Sequence, residues 1–337
     1  MIMKKPKIVC ADRFYMTSKA MKILEGVGET LWSNAESEDD LIEELSEAAV
    51  VISEYVRITS QVLDASKDLK GVMVWGVGYD HVDVNAASER GIFVANTSGS
   101  NAESVAEQAF SFILALSRRL LKANTFVKGG DWTSLEESSL PSGLVGNDLY
   151  GKTLGIIGLG NIGRRIARIG NGFNMRLLAY DPYVTGETAK KIGVKLLSLH
   201  KVLEEADYVT IHTILSKETR GLISARELAL MKPTAYLINT SRGPIVNQSA
   251  LINALANGKI SGVALDVFEE EPIGKDNPIL RMGNVITTPH YAGNSREALE
   301  ATSMRVSQET VRMINGKTPL SLVNRQQLEE RGFLPKK

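Results

Sequence analysis

The stretch that most constrains this chain is Gly158-Leu159-Gly160-Asn161-Ile162-Gly163, three glycines set directly behind the apolar run Thr153–Ile157 and opening a helical pattern. Gly158 permits a tight turn, Gly160 lets an anion approach the backbone, and Gly163 lets helix and strand pack closely. The helix-end N–H groups at Asn161 and Ile162 then face the anion. Such a pattern alone is weak, and its context does the discriminating. Asp181 stands eighteen residues after Gly163, at the end of the next apolar run, Arg176–Asp181. A carboxylate there would accept hydrogen bonds from an adenosine ribose and repel a 2′-phosphate, and the following Pro182-Tyr183 offers no cation to hold one. NAD is therefore expected rather than NADP.

The rest of the chain alternates in the same way. Short β-branched runs at Lys7–Asp12, Glu29–Trp32, Ala49–Ile52, Val72–Trp75 and Phe93–Asn96 are separated by helical patterns, which predicts a small parallel sheet covered on both faces. A long helix is expected from Glu103 to Lys122, followed by a structured arm, Gly129–Tyr150, that carries Trp132 and Leu135. The alternation then restarts, with strands expected at Thr153–Ile157, Arg176–Asp181, Tyr208–His212, Ala235–Asn239, Gly262–Val267 and Val285–Thr288, and a final helix at Arg296–Ile314. The reading is α/β with two doubly wound parallel-sheet domains. At 337 residues the chain is long enough for both.

Composition closes off other classes. Lys and Arg total 39 against 39 Asp and Glu, so no basic field points to nucleic acid. The single cysteine, Cys10, excludes a disulfide framework and a cysteine-based zinc cluster, and its strand neighbours make an inert core thiol the expectation; no metal site is expected. No apolar stretch approaches the ~18 residues of a membrane helix, and the run behind Lys4, Lys5 and Lys7 is too brief for a secretory signal. A cytoplasmic protein with no membrane partner is the expectation.

A nicotinamide cofactor makes hydride transfer the leading chemistry, and the protein must then supply a proton relay and orient its substrate. Histidine is the default proton donor, and there are four. His200 falls in the helical pattern His200–Glu205 with charged neighbours, and His81 follows a strand end. His212 and His290 both end strands at the carboxyl edge where doubly wound sheets bind ligands, and the residues alone give these two equal weight. Arg242, in Asn239-Thr240-Ser241-Arg242-Gly243, follows another strand and could hold a substrate carboxylate. Glu269, Glu270 and Glu271 form an acidic run from which spacing does not choose.

In combination the blocks Gly76-Val77-Gly78-Tyr79-Asp80-His81-Val82-Asp83, Ser104-Val105-Ala106-Glu107, Gly158–Gly163, Asn239–Gly243, Ala264–Pro272 and Pro289-His290-Tyr291-Ala292-Gly293 resemble the D-isomer-specific 2-hydroxyacid dehydrogenase family, from about Ala49 to Val323. The resemblance implies a catalytic set of Arg242 for the substrate, Glu271, and His290 as proton donor. A carboxylate against the imidazole would favour its charged form. It also implies cofactor contacts at Thr240, Ser241, Arg242, Asp266, His290 and Gly293 besides the glycine-rich turn and Asp181. Substrate contacts are implied at the backbone of Val77 and Gly78, at Tyr55 and at Arg242. Glu271 stands where the formate-oxidising branch carries glutamine.

The implied topology is a Rossmann NAD-binding domain, residues 102–291, inserted into a flavodoxin-like substrate domain made of residues 1–101 and 292–337. Dimerisation through the NAD-binding domain, by the long helix and the loop up to Tyr150, is implied as well. Departures bear on substrate. Phosphoglycerate dehydrogenases carry basic residues at the positions of Ser53 and Tyr55, and this chain has neither, although Arg57 lies nearby. Ile214 replaces a proline common after the position of His212. The expected activity is NAD-dependent interconversion of a small 2-oxo acid and its D-2-hydroxy acid. The alternatives are a phosphoglycerate dehydrogenase or an NAD-sensing regulator on the same fold.

Overall fold

In a computed structural model that describes residues 5–136 and 141–336, the chain forms two compact units. One is built from the chain up to Asn101 together with the stretch from Asn294 onward, and the other is Ala102–Gly293. Lys4, and residues 137–140 of the arm expected at Gly129–Tyr150, lie outside the described residues.

The first unit holds β1 (Lys7–Cys10), β2 (Glu29–Trp32), β3 (Ala48–Ser53), β4 (Gly71–Val74) and β5 (Phe93–Ala95). All pair in parallel in the order β2-β1-β3-β4-β5. Every residue of β3 and β4 is buried, the mark of central strands covered on both faces. Alternating side chains divide between two cores. Val9, Val51, Val72 and Val74 pack on one face, and Ile8, Cys10, Val50, Ile52 and Met73 on the other, beneath the helix Arg296–Ile314. Ser295 caps that helix by accepting the Ala298 N–H. Cys10 is fully buried. Burial, opposed by the charge of Arg13 and helped by that of Asp12, pushes its thiol up to about 12, so it is inert. Trp75 also belongs to this core, stacked 5.8 Å from Phe14 with its Nε1–H donated to the Tyr15 carbonyl.

The second unit holds β6 (Thr153–Ile157), β7 (Arg176–Tyr180), β8 (Lys195–Leu196), β9 (Tyr208–Ile211), β10 (Tyr236–Asn239), β11 (Gly262–Leu265) and β12 (Val285–Thr287). They too are all parallel, in the order β12-β11-β10-β9-β6-β7-β8. The chain therefore runs outward from β6 to β8, returns, and runs the other way from β9. That reversal leaves a switch point between β6 and β9, where open α/β sheets bind ligands beyond the carboxyl ends of their strands. The two-residue edge strand β8 had no signal in the sequence.

One expected element is corrected. The helix expected from Glu103 to Lys122 is two helices, Ala102–Ser117 and Leu120–Lys128, broken at Arg119, whose φ of 54° is left-handed. No glycine or proline marks the break. Tertiary partners make it instead. The Ser117 hydroxyl donates to the Asn147 carbonyl at 2.6 Å, the Ser117 carbonyl accepts the Asn147 N–H, and the Tyr208 hydroxyl donates to Ser117. Arg119 then lies over the Tyr236 ring.

Candidate active site

The glycine-rich turn follows β6 and opens the helix Asn161–Gly172. Gly158 has a φ of 93°, and a Cβ there would come within 2.7 Å of the His212 carbonyl oxygen. A Cβ on Gly163 would overlap the Gly158 carbonyl oxygen. Gly160 meets nothing within 4 Å, so the space in front of the helix start stays open. The first-turn N–H groups of any helix lack intrahelical acceptors, and an anion in that space would satisfy them. Asp181 follows β7 directly. One of its oxygens accepts the Leu159 N–H at 2.7 Å and the other the Tyr183 N–H at 2.8 Å. It thus fixes the turn as well as presenting a carboxylate beside it.

Two buried polar atoms at the carboxyl ends of β9 and β10 have no hydrogen-bond partner: His212 Nδ1 and Thr240 Oγ1. Leaving such groups unpaired is costly, so they are natural partners for a polar ligand. Together with the open space at Gly160, they fit a dinucleotide bound along this edge. His212 is enclosed, with Nε2 2.8 Å from the Thr210 hydroxyl. Burial pushes it down to about 3, which keeps the imidazole neutral and removes it as a proton donor near neutral pH.

His290, by contrast, is paired. Its Nδ1 lies 2.7 Å from Glu271 Oε2, with the two side chains 30% and 32% exposed. The other Glu271 oxygen accepts the Phe268 N–H at 2.8 Å. Burial would raise the Glu271 carboxyl. The hydrogen bond and charge of His290, the Phe268 N–H and the charge of Arg242 outweigh it and hold the group below its ordinary value. Glu271 is thus ionised at neutral pH, and the acidic run is sorted by geometry: Glu269 accepts the Gln248 N–H instead. His290 itself adopts a left-handed backbone, φ 50°, unusual outside glycine. Asp266 imposes it. The Asp266 carbonyl accepts the His290 N–H, and its carboxylate accepts the Thr288 hydroxyl at 2.5 Å and the N–H groups of Tyr291 and Ala292.

Arg242 is placed by its neighbours. The Asn239 side chain accepts the Ser241 N–H and donates to the Arg242 carbonyl, and the Ser241 hydroxyl donates to the Thr213 carbonyl. Gly243 packs against the backbone of Phe268 and Glu269 where a Cβ would overlap, which draws the Arg242 loop onto the Glu271 loop. Sequence reasoning missed Asn239 as the organiser, although an Asn at a strand end before a turn is a readable signal. Gly293 follows in the turn after Ala292.

In the first unit, Val77 and Gly78 lie beyond β4, where the Asn96 amide donates to the Val77 carbonyl and the Thr97 N–H to the Gly76 carbonyl. Tyr55 lies beyond β3 with an exposed side chain. The His81 carbonyl accepts the Ile58 N–H. His200 sits on a helix with Glu227 3.9 Å away.

Residues 110–292 match the profile of the D-isomer specific 2-hydroxyacid dehydrogenase NAD binding domain. The chain is 41% identical to a glyoxylate reductase of Korarchaeum cryptofilum over 81% of this chain and 82% of that one. It is 37% identical to a D-3-phosphoglycerate dehydrogenase of Methanocaldococcus jannaschii over 94% of this chain, yet it spans only 59% of that relative's length. Among solved structures, an NADPH-dependent glyoxylate/hydroxypyruvate reductase of Sinorhizobium meliloti, in complex with NADP and malonate, superposes with a TM-score of 0.85 at 28% identity, covering 96% of this chain and 98% of that one. No helix among the described residues is long and apolar enough to cross a membrane. The chain belongs to the D-isomer-specific 2-hydroxyacid dehydrogenase family and is an NAD-dependent oxidoreductase.

Proposed function

We propose that the chain interconverts a small 2-oxo acid, glyoxylate or hydroxypyruvate in the first instance, and its D-2-hydroxy acid. The observation that carries this is the 2.7 Å contact between His290 Nδ1 and the ionised Glu271. With Nδ1 committed to Glu271, which also holds the ring in place, Nε2 is the nitrogen that exchanges a proton with the substrate oxygen. When bound, NADH supplies the hydride for the 2-carbon. In reduction His290 gives its proton to the carbonyl oxygen, and in oxidation the neutral ring takes one from the hydroxyl. The Arg242 guanidinium holds the substrate carboxylate, a pairing its planar fork favours over a lysine. Val77, Gly78 and Tyr55 are proposed substrate contacts on the first unit's sheet edge.

Glyoxylate reductases among the relatives support the substrate choice. Ser53 and Tyr55 stand where a phosphate-binding loop would need cations, which disfavours phosphoglycerate. The paired His290 and Glu271 favour turnover over an NAD-sensing regulator. The test is loss of NADH absorbance across glyoxylate, hydroxypyruvate, pyruvate, phenylpyruvate and phosphohydroxypyruvate, with NADPH alongside. A substrate used by the wild type and lost in His290→Ala supports the assignment. Strong preference for phosphohydroxypyruvate, or NADH binding with no turnover on the whole panel, sinks it.

We further propose a homodimer through the second unit, in the cytoplasm. The helix Leu120–Lys128 buries none of its residues, and Leu120, Leu121, Val127, Trp132 and Tyr150 are all more than half exposed. Sedimentation equilibrium of the wild type and Leu121→Asp tests it: a monomeric wild type removes the idea.

A further inference from the structure

We propose that Thr288 is a positioning residue for proton transfer, whose hydroxyl, through Asp266, locks the turn that carries His290. The inference rests on the proposed function, in which His290 exchanges the proton. β12 ends at Thr287, and just beyond it His290 must turn back to meet Glu271. It does so with a left-handed φ of 50°. For a residue with a Cβ that conformation is sparsely populated, and it persists only where neighbouring groups over-determine it. Pro289, the residue before, has no N–H to contribute.

Thr288 supplies three constraints. Its N–H donates at 3.0 Å to the carbonyl of Leu265, the last residue of β11, which ties it to the sheet end. Its carbonyl accepts the His290 N–H at 3.1 Å, beside the 2.8 Å bond from the same N–H to the Asp266 carbonyl. Its hydroxyl donates to Asp266 Oδ1 at 2.5 Å. The first two are backbone bonds open to any residue but proline, whereas the third requires a hydroxyl. Asp266 is 1% exposed; its Oδ1 also accepts the Tyr291 N–H at 3.0 Å, and its Oδ2 the Ala292 N–H at 2.9 Å. The carboxylate thus takes one donor from before His290 and two from after it, and ties both flanks of the turn to one buried group. Hydroxyl-to-carboxylate bonds are of the short, strong kind. Without the hydroxyl the following flank stays held while the leading flank relaxes, and the ring shifts on its contact with Glu271. A misplacement of about 1 Å in a reacting group can slow a reaction about a hundredfold. Arg242 stands outside this clamp, since Asn239 and Ser241 hold its turn. The clamp therefore bears on the proton and not on the grip on the substrate carboxylate.

The test compares wild type, Thr288→Val, Thr288→Ser, Asp266→Asn and the double variant Thr288→Val/Asp266→Asn, each as the full chain with NADH and glyoxylate or hydroxypyruvate. Valine keeps the branched shape and removes the donor. Thr288→Val is expected to lower kcat about ten- to a hundredfold, with KM and NADH affinity, the latter read by fluorescence, within about twofold of wild type. Thr288→Ser, which keeps the donor, restores kcat to within about threefold of wild type. In the Asp266→Asn background the valine substitution lowers kcat little further, because both changes act on one bond. Thr288→Ala, which brings no apolar branch to the carboxylate, carries the test if the valine variant does not fold. Unchanged kcat in folded variants overturns the inference, as does a serine variant as slow as the valine one, or losses that simply add in the double variant. A parallel fall in kcat, NADH affinity and melting temperature overturns it too, since it marks a merely structural residue. The proposed function fails separately, on a wild type inactive on every 2-oxo acid, and takes this inference with it.

Discussion

Both units are doubly wound, and each exposes backbone N–H groups at the point where its strand order reverses. They satisfy them differently. In the second unit the turn after β6 is kept slim by Gly158, Gly160 and Gly163, and buried polar atoms of His212 and Thr240 stand unpartnered beside it. In the first unit the N–H groups on the far side of the reversal, after β3, are taken by Asp12 from the neighbouring strand. The same architecture thus makes one edge that needs an external anion and one that supplies its own. A fold alone does not say which edge binds phosphate; the side chains at the reversal do.

The largest effect that separates the two edges is chemical. His290→Ala is expected to lower kcat about 10²- to 10⁴-fold with NADH affinity kept, because the general acid is lost and the dinucleotide edge is not. A comparable fall in kcat from a substitution in the loop 53–57 would break the division of labour.

Next comes Gly163→Ala. The added Cβ overlaps the Gly158 carbonyl oxygen, so the turn must shift. A destabilisation of about 1–3 kcal/mol, read by denaturant unfolding, and weaker NADH binding are expected. Wild-type NADH affinity in this variant would show that the turn is not the anion site.

A pH experiment sharpens the comparison further. His212 is held down to about 3 by burial, while an exposed histidine in the unfolded chain takes up a proton near 6.5. As the pH falls from about 6.5 towards 3 the unfolded state therefore binds the extra proton, and stability drops by about 1.4 kcal/mol per pH unit at most. His212→Asn should flatten that limb between pH 6 and 4 in urea titrations, a range set by the two values just given. An identical slope in the variant would refute the neutral assignment.

The smallest expected effect is on cofactor choice. Asp181→Ser removes the charge beside the ribose while a hydroxyl remains near the Leu159 and Tyr183 N–H groups, and it should shift the NADPH-to-NADH preference by about tenfold, the scale of a single charged hydrogen bond. An unchanged preference would place discrimination elsewhere on this edge.

Much of the scaffold was legible in the chain. β2, β6 and the helix Arg296–Ile314 fall on their expected bounds, because β-branched runs and helical periodicity are local signals that burial on both faces makes strong. The break at Arg119 was not legible. It depends on Asn147 and Tyr208 reaching Ser117 from distant parts of the chain, and no local residue announces it. Among candidate site residues, spacing left His212 level with His290, and Glu271 level with its two neighbours.

By itself, then, the order of residues determined the two parallel sheets, the glycine-rich turn and the edges from which chemistry could come, since strand alternation and turn chemistry are short-range. Which histidine is buried and which is paired, which glutamate faces the paired one and which N–H groups remain for a ligand were decided by tertiary structure. Burial strips His212 of its charge, Asp266 turns His290 onto Glu271, and Asp12 crosses from one strand to close the loop of another. Each depends on groups far apart in the chain being brought within hydrogen-bond distance, where desolvation and charge can act.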